Sequence, residues 1–142
     1  MDTNTSTHSA AKPQLFCCLN YRDADRAIDF LTAIGFVEVL VVRDPDDPSI
    51  VHHAQFRWRD NGGLMFGSVR EDDEVGFATR PSQGACNLVV ESDVRVDEVV
   101  DLALAHGATL AQEAHHPPHG GRSAAVRDAE GNLWNIDSYP GE

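Results

Sequence analysis

The chain has 142 residues, 42% hydrophobic and 24% charged, enough for one domain with a real core or for two small half-modules sharing one. A formal net charge of −12 with no basic stripe argues against nucleic acid as a partner, because such a surface repels phosphate backbones and concentrates cations instead. No apolar run approaches the roughly 18 residues of a membrane span, and the polar start "MDTNTSTHSAAKP" has no apolar segment behind basic residues, so neither a membrane protein nor a secretory signal is expected.

Residues 1–12 read as a loose tail. "PQLFCCLNY" (13–21) reads as a strand, and Asp23 stands where a helix N-cap belongs. Behind it Ala27, Phe30, Leu31 and Ile34 repeat at the spacing of one helical face, and Gly35 is the expected stop. "FVEVLVV" (36–42) is a β-branched strand ended by "RDPDDPS" (43–49). "IVHHAQFRW" (50–58) and "LMFGSV" (64–69) flank the hairpin turn "RDNGG" (59–63). The order is β-α-β-β-β over residues 13–69.

The acidic stretch 70–84, "REDDEVGFATRPSQG", reads as a linker, after which the order repeats over 85–139. "ACNLVVE" (85–91) is a strand. "DVRVDEVVDLALAHG" (93–107) is a helix with Val96, Val99, Val100, Ala103 and Leu104 on one side. "TLAQEAHH" (109–116), "RSAAVRD" (122–128) and "LWNIDSY" (133–139) complete the second half. The predicted fold class is therefore α+β, with two βαβββ modules. Each helix covers one sheet face, and the other faces form a concave trough. In the last strand, Trp134 and Ile136 point one way; Leu133, Asn135 and Asp137 point the other.

Three cysteines are present. Cys17 and Cys18 are adjacent on a strand and Cys86 is remote, so neither a disulfide framework nor a CxxC zinc pattern is expected, which fits a reducing cytoplasmic compartment. Neighbouring His115 and His116 diverge on a strand end, and with His119 they read as a solvated loop rather than a metal site. His52 and His53 diverge likewise.

The stretches "YRDADRAIDFLTAIGF" (21–36), "HAQFRW" with "GGLMFGS" (53–68) and "RDAEGNLWNIDSY" (127–139) resemble the vicinal oxygen chelate superfamily of glyoxalases, bleomycin-resistance proteins and extradiol dioxygenases. Ala129 stands where the family's closing turn usually has proline. The resemblance implies a homodimer and a trough that holds either a metal or an organic guest. In the chelating members, ligands come from the first and last strand of each module. Seven residues before Asp23 is Phe16; the fourth strand offers no acid, amide or imidazole; counting in the fifth strand gives Cys86 from Asp93 or Leu88 from Gly107; four residues after Gly131 is Asn135. This set does not chelate a divalent ion.

The expectation is therefore no metal cofactor, no catalytic residue, and sequestration of a small, cationic or planar molecule in the cytoplasm, as in antibiotic resistance. The candidate ligand-binding residues are Phe16, Trp58, Phe66, Cys86, Arg122, Asn135 and Asp137, with Phe16 and Phe66 sharing the trough face and Asp137 as a partner for Arg122. The competing readings are a metal-dependent lyase or dioxygenase of the glyoxalase type, using a divalent ion, and an accessory module without a ligand.

Overall fold

A computed structural model describes residues 12–70 and 80–142. The tail through residue 11, and most of the expected linker, lie outside them. The first module runs β1 (Phe16–Tyr21), α1 (Ala24–Ile34), β2 (Val37–Arg43), β3 (Val51–Trp58) and β4 (Gly62–Ser68). The second runs β5 (Ala85–Val89), α2 (Asp93–Ala105), β6 (Thr109–His115), β7 (Ser123–Arg127) and β8 (Leu133–Asp137). Each makes a four-stranded mixed sheet, in the orders β1-β4-β3-β2 and β5-β8-β7-β6. The first strand of each module pairs parallel with its last, and the remaining pairs are antiparallel.

The caps follow from local chemistry. Asp23 accepts from the Arg26 backbone N–H, satisfying one of the orphan donors at the start of α1. Gly35, at φ 124°, ends the helix in a conformation that a side chain would oppose. For α2 the cap is Ser92, which accepts from the Arg95 N–H, one residue earlier than Asp93. The buried face of α2 is Val96, Val99, Val100 and Ala103; Leu104, expected beside them, is 39% exposed because it lies off that stripe.

The two helices pack on each other as well as on the sheets. The His106 Nδ1–Asp29 contact (2.9 Å) ties the end of α2 to α1. One core results, shared by both modules. Trp134, fully buried, is a core residue as its alternation predicts. Its ring neighbours, however, are Phe30 of α1 and Phe36, each with centroids 5.9 Å away, so it anchors the first module rather than lying only beneath α2.

A buried polar cluster fastens the β7–β8 turn to β1. Asp128 Oδ2 accepts from Tyr21 Oη (2.6 Å), Trp134 Nε1 (3.0 Å) and Asn132 Nδ2 (3.2 Å), while Oδ1 accepts the backbone N–H groups of Glu130 and Asn132. Glu130 accepts from the backbone N–H groups of Arg22 and Asp23. Burial, reinforced by the Asp128 charge, pushes the Tyr21 phenol far above its ordinary value of 10.0. The unfolded chain ionises this phenol first, so the stability it contributes is complete below about pH 10 and is lost as pH rises above that. Thermal denaturation from pH 8 to 11 is expected to show a falling Tm in the wild type and a shallower fall in Tyr21→Phe. Equal slopes would rule the phenol out as the alkaline-sensitive group.

Candidate ligand-binding site

The inner edges of the two sheets, β1 and β5, face each other without a hydrogen-bonded ladder between them. Cys17 on β1 and Cys86 on β5 are joined as a disulfide, with Cα atoms 6.9 Å apart. This corrects the expectation that Cys86 stands alone. The 69 residues separating the two cysteines also separate the caps Asp23 and Ser92, so the cysteines hold equivalent positions in the two modules and meet where those modules face each other. At one end of this seam Gly84 lies so close to Leu19 that a Cβ would fall 2.1 Å from Leu19 Cδ2 and 2.9 Å from Asn132 Oδ1.

The other end is open. A cavity of about 480 Å³ lies between the N-terminal end of β1, the β3–β4 turn and β5. Phe16, Phe36, Trp58, Leu64 and Leu88 supply apolar wall, the Cys17–Cys86 bridge is part of it, and Asn61 and Asn87 supply amides. Trp58 is held from both sides. Its ring lies 4.9 Å from Phe36, and its Nε1 donates to the Val89 carbonyl at 2.9 Å. Arg59, at φ 49°, donates to the same carbonyl. The space and the mix of rings and amides suit a flat organic molecule with a few polar edges.

The structure brings three of the seven sequence candidates to this cavity: Phe16, Trp58 and Cys86. Phe66 is elsewhere. The β1–β4 register places it opposite Leu19, on the helix-covered face, where it is 2% exposed and packs edge-on to Tyr21 and parallel to Phe56. Phe16 is opposite Gly63, on the other face, so the two rings do not share a wall. Cys86 and Leu88 likewise alternate onto the covered side of β5 and reach the cavity only because the seam is open there. Arg122 does not pair with Asp137. It makes a two-pronged ion pair with Asp97 on α2, at 3.0 and 3.1 Å, because α2 lies over β7. Asp137 instead accepts the Tyr139 N–H. Asn135 is on the helix-free face of β8 beside Asn87 of β5, as the alternation of its strand predicts.

The chelating positions can now be assigned by register. Seven residues before the true cap Ser92 is Ala85, which replaces both Cys86 and Leu88. Cys18 pairs with Met65 as Asn87 pairs with Asn135, and Cys18 and Asn87 are equivalent, so Met65 is the fourth-strand position. The set is Phe16, Met65, Ala85 and Asn135. A phenyl, a thioether, a methyl and one amide do not fit a divalent metal. The histidine cluster does not replace it. His116 Nδ1 donates to the Gly121 carbonyl (3.1 Å) and Nε2 accepts from Arg122 (3.3 Å), which occupies both ring nitrogens; His115 Nδ1 donates to the Glu113 carbonyl, and His119 stacks edge-on to Tyr139. Among the described residues, no group of three or more His, Cys, Asp or Glu side chains is placed to hold a metal ion.

Residues 14–136 match the family model for the glyoxalase/bleomycin resistance protein/dioxygenase superfamily. The chain belongs to that superfamily. TioX from Micromonospora sp. ML1 is 31% identical, with a TM-score of 0.65 over 87% of this chain and 95% of that one. A glyoxalase-related enzyme from Fulvimarina pelagi is 25% identical, with a TM-score of 0.67 over 86% of this chain and 84% of that one. A bleomycin resistance determinant encoded on transposon Tn5 shares the superfamily fold at 20% identity, with a TM-score of 0.59 over 90% of this chain and 98% of that one. No curated protein sequence matches the chain. No helix among the described residues is long and apolar enough to cross a membrane.

Sequence reasoning missed Cys17, Phe36, Leu64 and Asn87 as cavity residues. The signal for the first was present: the equal spacing of the two cysteines and the two helix caps marks Cys17 and Cys86 as equivalent.

Proposed function

We propose that this superfamily member binds and sequesters a small, planar or cationic organic molecule without a resident metal, as a cytoplasmic homodimer. The observation that carries the reading is the donor set. Phe16, Met65, Ala85 and Asn135 stand at the four chelating positions, and two of them, Phe16 and Ala85, line an open cavity walled by Trp58 and Phe36. A flat guest gains ring contact and apolar burial there, while Asn61 and Asn87 can hydrogen-bond its edges. The net charge of −12 raises the local concentration of a cationic guest. Edge strand β2 leaves Val37, Val39, Leu40 and Val42 exposed, apolar surface of the kind a second copy covers.

The test uses protein purified without chelator. Elemental analysis is expected to give well under one divalent ion per chain. Calorimetry against a panel of cationic glycopeptides and planar quinones is expected to find a saturable ligand, at one site per chain, whose affinity drops when Ala85→Trp fills the cavity. A stoichiometric divalent ion would overturn the reading in favour of a glyoxalase-type lyase or dioxygenase. The absence of saturable binding across the panel, in a confirmed dimer, would favour an accessory module instead.

A further inference from the structure

Nothing in the proposed function uses the Cys17–Cys86 pair for chemistry. The two sulfurs nevertheless occupy a special place. They sit at equivalent positions of the two modules, on strands β1 and β5, the inner edges that no hydrogen-bonded ladder connects. Hydrogen bonds and ring contacts that tie the modules among the described residues lie elsewhere, including Trp58 and Arg59 on the Val89 carbonyl, the Asp128 and Glu130 cluster on the end of β1, Trp134 on Phe30 and Phe36, and the His106–Asp29 pair between the helices. The sulfur pair is the covalent link between β1 and β5.

It is also reachable. Both cysteines are half-buried, and both line the 480 Å³ cavity, which opens to the surface. A disulfide exposed to small thiols exchanges, whereas one sealed in a core does not. The third cysteine does not compete. Cys18 is an exposed, unpaired thiol that alternates to the opposite face of β1.

We propose that Cys17 and Cys86 form a reversible, two-electron redox clasp that fastens edge strand β1 to edge strand β5 in an oxidising environment and unfastens these two edges in a reducing one. The oxidant is a low-molecular-weight disulfide of the glutathione type. One protein thiolate attacks it, forming a mixed disulfide and expelling one small thiol. The second protein thiolate then attacks the protein sulfur of that mixed disulfide and expels the other. Two protein S–H bonds and the oxidant's S–S bond are lost, one protein S–S bond and two small thiols are made, and the protein gives up two electrons. The return reaction consumes two equivalents of the small thiol. The clasp rests on the placement of the two cysteines and holds whether or not the cavity has an organic guest.

The full-length chain is equilibrated across a series of glutathione thiol-to-disulfide ratios, then quenched, and its thiols are counted by alkylation and mass spectrometry. Fully reduced protein is expected to carry three alkylatable thiols and oxidised protein one, mapped to Cys18, with a mass lower by two hydrogens and no covalent dimer. Closing a 69-residue loop is expected to raise Tm by on the order of 10 °C on oxidation. That increment is expected to vanish in Cys17→Ser and in Cys86→Ser and to persist in Cys18→Ser. Three alkylatable thiols at every ratio would overturn the clasp. So would glutathione carried as a mixed disulfide in place of the internal bond, or a bond that survives excess glutathione thiol under native conditions. The thiol count is made on the wild-type chain, so the outcome does not depend on either serine variant folding.

Discussion

Replacing Asp128 by alanine is expected to cost on the order of 4 kcal/mol of stability, a large part of what holds a domain of this size together. The carboxylate is 6% exposed and accepts five hydrogen bonds. Removing it leaves the Tyr21 hydroxyl, the Trp134 indole N–H and the Asn132 amide without their buried acceptor, and unpaired donors in such a site carry their full desolvation penalty. Because the cluster joins β1 of one module to the β7–β8 turn of the other, its loss also loosens their docking. Asp128→Asn separates shape from charge. It keeps the volume but turns an amide donor toward donors, and it is expected to cost roughly half as much. Urea denaturation with an unchanged m-value measures both. A loss below about 1 kcal/mol in the alanine variant would show that water or rearrangement satisfies these groups.

The second large effect is at Trp58. Its indole spans the seam, packed 4.9 Å from Phe36 with its N–H on the Val89 carbonyl, while its exposed flank forms cavity wall. Trp58→Ala is expected to cost about 3 kcal/mol, at the low end of large-to-small core changes because the residue is only partly buried. It is also expected to weaken binding of a planar ligand by more than about tenfold through loss of ring contact. Trp58→Phe keeps a ring against Phe36 and loses the hydrogen bond, so stability should fall by only about 1 kcal/mol while most affinity remains. Urea denaturation alongside calorimetry resolves the two. A Trp58→Ala protein that binds as tightly as wild type would move the ligand site away from this cavity.

Several features of the fold were legible because they are set by neighbours in the chain. The α1 stripe of Ala27, Phe30, Leu31 and Ile34 is buried as read, since helical periodicity alone puts those residues on one side. The cap Asp23, the stop Gly35 and the opposition of Trp134 to Asn135 are equally local. Ser92 and Asp93 are both good cap formers, and counting from Asp93 instead of the cap Ser92 moved the fifth-strand position from Ala85 to Cys86, while counting from Gly107 gave Leu88. The partner of Arg122 was misread because Asp97 belongs to a helix whose docking over β7 no local rule fixes.

By itself the sequence determined the two βαβββ modules, the polarity of each helix and the alternation within each strand. Only the tertiary structure decided that Phe66 is core while Phe16 is cavity wall, that Cys17 meets Cys86, and that one end of the seam is sealed around Gly84 while the other opens beneath Trp58. Alternation tells which residues of one strand share a side, but not which side of a neighbouring strand they join. That depends on register and on how two modules dock, and both are settled by packing between residues far apart in the chain.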